Sequence, residues 1–151
     1  MRRAFGLIQA LIVIVLVGGL LVIAMKYASI TTKQTADLYV KERGELFMDE
    51  AVEITLLAIS GFDRSTGNCL KTLNILSEDK RFEANVTVKK YYLYNGLDND
   101  GSVLNNCDRV QAIQTEDSHG MVELEVSVQT TDVARNKDKD IRLLRRTLQR
   151  P

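Results

Sequence analysis

Two cysteines, one histidine and two clusters of charge are the residues of this 151-residue chain whose types admit chemistry. Cys69 and Cys107 are the only thiols. In an oxidising compartment a lone pair of this kind is expected to close a disulfide rather than stay free. Two thiols and one imidazole make a closed zinc site only with help from a carboxylate. His119 stands in Asp117-Ser118-His119-Gly120. A serine beside a histidine in sequence is not a triad, because that geometry is made in space. Gly120 marks a loop, so a surface histidine is expected. No catalytic residue and no cofactor are expected.

Asp98-Asn99-Asp100-Gly101 resembles a fragment of a calcium loop. An EF-hand loop needs oxygen ligands at alternate positions and a distal acid. Its first ligand position would fall on Gly96, which has no side chain. Asp98 and Asp100 remain calcium candidates, outranked by a plain turn, and no metal site is assigned. Residues 135–150 carry Arg135, Lys137, Lys139, Arg142, Arg145, Arg146 and Arg150 against Asp138 and Asp140, a net of +5. Such a strip suits phosphates. No Trp, Tyr or Phe lies in it to stack on bases. An acid face on residues 42–53, of the same or a neighbouring chain, is the simpler partner. Nucleic acid is not the expected ligand.

The elements that must position these residues begin with 4–25, AFGLIQALIVIVLVGGLLVIAM. This run holds one amide, Gln9, and no charge; Arg2 and Arg3 precede it and Lys26 closes it. A helix of about 20 apolar residues crosses about 30 Å of hydrocarbon. The run exceeds a secretory signal core of about 7–15 residues and lacks an A-x-A-like cleavage site. The two arginines favour a cytoplasmic N-terminus, which places the rest outside. With Arg2, Arg3 and Lys26 set aside, 17 cations face 20 acids, a net charge of −3. That balance excludes bulk attraction to nucleic acid. About 125 residues follow the run, enough for one domain.

Helix is expected to continue past the membrane. Val40, Gly44, Phe47, Ala51, Ile54 and Ala58 fall on one stripe, with Glu42, Glu45, Asp49 and Glu53 opposite. Ser60-Gly61 gives the stop, with Gly61 suited to a left-handed cap. Residues 5–59 then form one helix of about 80 Å, longer than so small a domain covers. Residues 61–82 read as a connection with a short helix over Leu70–Leu76. Residues 84–94 alternate as a strand, with Ala84, Val86, Val88, Tyr92 and Tyr94 on one face, broken at Lys90. Residues 95–102 are a turn. Residues 103–120 are loop, with a short strand over Val110–Ile113. Residues 121–130 are the clearest strand, Val122, Leu124, Val126 and Val128 facing a core. Residues 132–139 are a charged turn. Residues 140–149 fit a helix or a hairpin strand, with the strand favoured.

The N-terminus also carries a motif. A short basic leader ends at Ala4, then Phe5 opens Gly6-Leu7-Ile8-Gln9 and the long apolar helix. This resembles the type IV pilin and type II secretion pseudopilin family. The specific motif covers about 25 residues, and beyond it the likeness is architectural. The resemblance implies a leader 1–4 cut by a prepilin peptidase, a transmembrane helix half 5–28 and an exported domain 29–151. It implies an α+β fold: a long helix on a small antiparallel sheet of about four strands, with a disulfide in the C-terminal half. It also implies storage in the bacterial inner membrane, passage through an assembly platform and packing against other pilins or pseudopilins. Processing then falls on Ala4 and Phe5. Two residues depart from the family pattern. Alanine replaces the usual glycine before the cut, and Gln9 replaces the usual glutamate. A carboxylate buried in lipid needs a partner, held to be the cleaved amine of a neighbour. Gln9 keeps the size and a hydrogen bond but not the charge. It is either a weaker register contact or the mark of a minor subunit near a filament tip.

Overall fold

In the computed structural model, residues 2–98, 100–135 and 140–151 are described, without the side chains of 2–5 and 7. The fold is α+β: a long N-terminal helix packs on a five-stranded sheet. Helix α1 spans Arg2–Ser60. The strands are β1 (Thr72–Leu76), β2 (Phe82–Tyr94), β3 (Val110–Ile113), β4 (Met121–Thr130) and β5 (Arg142–Gln149). A 3-10 turn covers Glu116–Ser118, and a short helix α2 covers Asp132–Arg135. Contacts divide the chain into two units, residues 1–39 and 40–151.

The first unit is helix throughout its described residues, and every described side chain from Ile8 to Ala36 is exposed. It includes a stretch long and apolar enough to cross a membrane.

The second unit holds the sheet, in the order β1-β2-β4-β5, all antiparallel, with β3 beside the far end of β2 and parallel to it. Its residues 40–60 of α1 cover one face. Val122, Leu124, Val126 and Val128 are buried as their alternation required, under Phe47, Met48 and Ala51 of the helix. The buried stripe of α1 is Gly44, Phe47, Met48, Ala51, Val52, Thr55 and Ile59. It is turned by about one residue from the expected one, leaving Ile54 and Ala58 half-buried. Thr55 can hold a central place because its hydroxyl donates to the Ala51 carbonyl at 2.7 Å.

Three local expectations are corrected. Leu70–Leu76 is not helical; residues 72–76 pair with β2 from Thr72↔Thr87 to Leu76↔Glu83. Leu73 and Ile75 turn toward the core while Thr72, Asn74 and Leu76 face out, so pairing overrides the three-residue leucine spacing. In β2, Tyr92 and Tyr94 do not share a face with Val88. The register shifts between Val88 and Lys90, so Lys89 is an extra residue. Such a bulge reverses the alternation beyond it. Tyr91 and Leu93 are therefore buried, and Tyr92 and Tyr94 look outward. Gly61 does not take a positive φ. Its N–H still bonds the Leu57 carbonyl at 3.0 Å, and Arg64 Nη2 donates to the Ile59 carbonyl at 3.1 Å, so a side chain closes the helix. The strands at 110–113 and 142–149 form where expected.

Candidate functional site

Two places merit attention: the apolar part of α1, and the strap that ties the end of α1 to the loops beyond β2.

From Ile8 to Ile30 the helix presents isoleucine, leucine and valine on all sides, each more than half exposed where the residue is large. Gln9 is the one amide among them and is exposed. A Cβ added at Gly6, Gly18 or Gly19 would meet nothing within 4 Å, so these places are open to close approach by another helix. Further along, four hydroxyls fold back on their own backbone. Ser29, Thr31, Thr32 and Thr35 donate to the carbonyls of Lys26, Tyr27, Ala28 and Thr31 at 2.9–3.1 Å. A hydroxyl satisfied in this way carries less of a desolvation penalty in an apolar setting. Ala4 and Phe5, where the sequence leads one to expect processing, lie within α1, but their side chains fall outside the described residues. Met1 falls outside as well.

In the second unit Cys69 and Cys107 form a disulfide, Cα–Cα 5.4 Å, with both residues buried. The bond joins the strap after α1 to the loop before β3. Around it, Asn106 N–H donates to the Gly67 carbonyl at 3.0 Å, and Asn106 Nδ2 to the Thr66 carbonyl at 2.6 Å. Gly67 has φ +73, and a Cβ there would stand 3.2 Å from Asn105 N. A side chain would both strain the backbone and crowd this seam.

Arg64 is the second tie. Its Nη1 donates to both carboxylate oxygens of Asp98, at 2.9 and 3.1 Å. Asp98 is thus held by a guanidinium, while Asp100 is exposed and Asn99 falls outside the described residues. Among the described residues no three His, Cys, Asp or Glu side chains gather to hold a metal. The Arg64–Asp98 pair lines a cleft of about 370 Å³ with Tyr91, Leu104, His119 and Arg150. Burial pushes the Tyr91 phenol up to about 12, against the opposing charge of Arg64. It stays a neutral donor, to the Leu70 carbonyl at 2.7 Å. His119 is fixed rather than loose: its Nδ1 accepts the Tyr94 N–H at 2.9 Å.

The basic strip of residues 135–150 is largely paired inside the chain. Arg145 meets Asp49 on α1. Arg146 reaches Glu123 and Glu125 at 3.3 and 3.2 Å. Arg135 reaches Asp132 and Asp140. Arg150 donates to the Asp117 carbonyl. Lys137, Asp138 and Lys139 lie outside the described residues. The acid-face partner expected for the strip is realised at Asp49; the carboxylates of β4 were missed. Their signal was present, since Glu123 and Glu125 alternate with the core residues of β4 and face the same side as Arg146. Lys89, the bulged residue, adds a 2.9 Å pair to Glu125. These contacts hold the Glu125 carboxyl below its ordinary value, Lys89 contributing most.

Comparison with protein-family models, with curated proteins and with solved structures finds no match to this chain.

Proposed function

We propose that this chain is a structural subunit of a type IV pilus or a type II secretion pseudopilus. In this reading it is stored in the bacterial inner membrane, N-terminus in the cytoplasm and domain in the periplasm. It enters a filament after a prepilin peptidase cuts between Ala4 and Phe5. The observation that carries the reading is the order at the N-terminus: a basic leader, Phe5, then an apolar helix exposed on all sides. Transfer from bilayer to filament is feasible because lipid and a helix bundle are both apolar, so packing and hydrogen bonds supply the preference. The open glycines 18 and 19 favour such packing, and the disulfide suits an oxidising compartment.

Gln9 supports a minor rather than an abundant subunit. An amide in place of the acid forms no charge pair with a neighbour's new amine, so the axial register is held less tightly. The domain presents surfaces for neighbours and carries out no reaction. The partners in this proposal are other pilins or pseudopilins, the peptidase, the assembly platform and the bilayer, not nucleic acid.

The test is the intact mass of the exported chain in a host that contains a prepilin peptidase. A chain starting at Phe5, with methylation of its amine as an added mass, is the expected result. Retention of residues 1–4 with no neighbouring subunit captured by cross-linking overturns the proposal and leaves a tethered periplasmic domain.

A further inference from the structure

The second unit carries two surfaces of opposite character on the two edges of its sheet. On the β1 side, a groove of about 380 Å³ runs between α1 and the β1–β2 turn. Phe47 and Phe82 form its floor, with ring centroids 6.2 Å apart. Leu46 stands on its rim, 70% exposed. Glu50, Glu78 and Asp79 line it against one cation, Arg43. Arg43 is engaged by Asp79 at 3.3 Å. Glu50 and Glu78 make no ion pair among the described residues.

The other edge is β5. Leu143 packs on the core and Arg145 reaches Asp49, so these face α1. Alternation turns Arg142, Leu144, Arg146 and Leu148 the other way. Leu144 is 70% exposed and Leu148 50%. One edge thus offers carboxylates beside an exposed leucine, over two buried phenylalanines, and the other offers arginines beside exposed leucines. The chain already joins these chemistries internally, at Arg145 and Asp49. Glu50, the next residue, is turned about 100° around the helix and faces the groove instead.

We propose that the groove between α1 and the β1–β2 turn receives the Arg142–Leu148 edge of a second copy of this chain. Arg142 lies against Glu50 and Glu78, and Leu144 and Leu148 against Leu46 on the rim, while Arg146 stays on its own chain's Glu123 and Glu125. The two surfaces differ and lie on opposite edges, so the contact is heterologous and repeats head to tail rather than closing a two-fold dimer. This rests on the subunit reading above and deepens it: a minor subunit of this kind lies in a run of its own copies, not singly.

The experiment uses the full-length chain in membranes of a host with the assembly system. One copy carries Glu78→Cys and a second, co-expressed copy carries Leu148→Cys; the native cysteines are sealed in their buried disulfide. A short bis-maleimide is expected to give a product of twice the chain's mass. Gln114→Cys in place of Leu148→Cys is the control. Adding Glu50→Arg or Arg142→Glu alone is expected to lower the yield about two- to fivefold, and both together to restore it. A yield no higher than the control, indifference to the charge reversals, or products only with proteins of other mass overturns the inference. None of these touches the subunit reading, which stands or falls on the cut before Phe5.

Discussion

Ile141 lies directly over Gly44. A Cβ built on Gly44 would stand 2.5 Å from Ile141 Cδ1 and 3.2 Å from Leu143 Cδ1. Glycine inside a helix costs about 1 kcal/mol relative to alanine. Here that cost is offset by letting the connection into β5 press onto α1. Gly44→Ala is expected to destabilise the domain by about 1–2 kcal/mol, overpacking exceeding the gain in helix propensity. Ile141→Val removes the Cδ1 atom. The double variant should melt closer to wild type than Gly44→Ala alone, which thermal unfolding by circular dichroism measures.

Breaking the disulfide should be costly. The bond closes a separation of 38 residues, for which chain entropy gives about 3–4 kcal/mol. Cys69→Ala with Cys107→Ala is expected to lower the melting temperature of the chain. A reductant should lower wild type toward the same value and leave the double variant unmoved.

The Arg64–Asp98 pair predicts an asymmetric response. The side chain of Asp98 is 6% exposed and that of Arg64 25%. Arg64→Leu strands a buried carboxylate and uncaps the Ile59 carbonyl; about 2–4 kcal/mol is expected, below the fully buried case because Arg64 reaches water. Adding Asp98→Asn should recover part of the loss in urea unfolding.

Glu125 predicts a pH dependence. Its carboxyl titrates below the ordinary 4.5 because Lys89, then Arg146, favours the charged form. A carboxyl with a depressed folded value contributes stability above its unfolded value and loses it as pH falls through the folded one. Wild type should therefore exceed Glu125→Gln in melting temperature at neutral pH. The gap should shrink as pH drops below about 4.5 and vanish once both carry a neutral side chain. An unchanging gap down to pH 3 would contradict the pairing.

Position 9 tests the filament reading separately. Gln9→Glu restores a charge able to pair with a neighbour's amine. In a host with the assembly system, more of this variant than of wild type is expected in sheared filaments at equal membrane levels. Quantitative immunoblotting of the two fractions checks it.

Much of the fold was legible because β4 alternates strictly and has one face in the core. The places that were not legible share a cause: information from a neighbouring strand. Leu70, Leu73 and Leu76 recur at a helical interval, and only pairing with β2 makes Leu73 and Ile75 the inward residues. The break at Lys90 was visible as a lysine on an apolar face. That it was an inserted residue, turning Tyr91 and Leu93 inward, depends on the register with β4. The stripe on α1 was read one residue off because Thr55 counts as polar until its hydroxyl is seen on Ala51. The cysteine pair was legible by scarcity. The Arg64–Asp98 pair, 34 residues apart, gave no local sign.

The four back-bonded hydroxyls near the end of the apolar helix bear on how such a rod would travel. Ser29 to Thr35 span about 9 Å of axis. In a membrane, Lys33 can stretch its ammonium to the headgroups from either end of that interval. The stretch therefore tolerates grease and brine almost alike, and the waterline is smeared over more than a turn. Under the filament proposal, a first small upward step of the chain would then need no tightly held hydration to be stripped or regained.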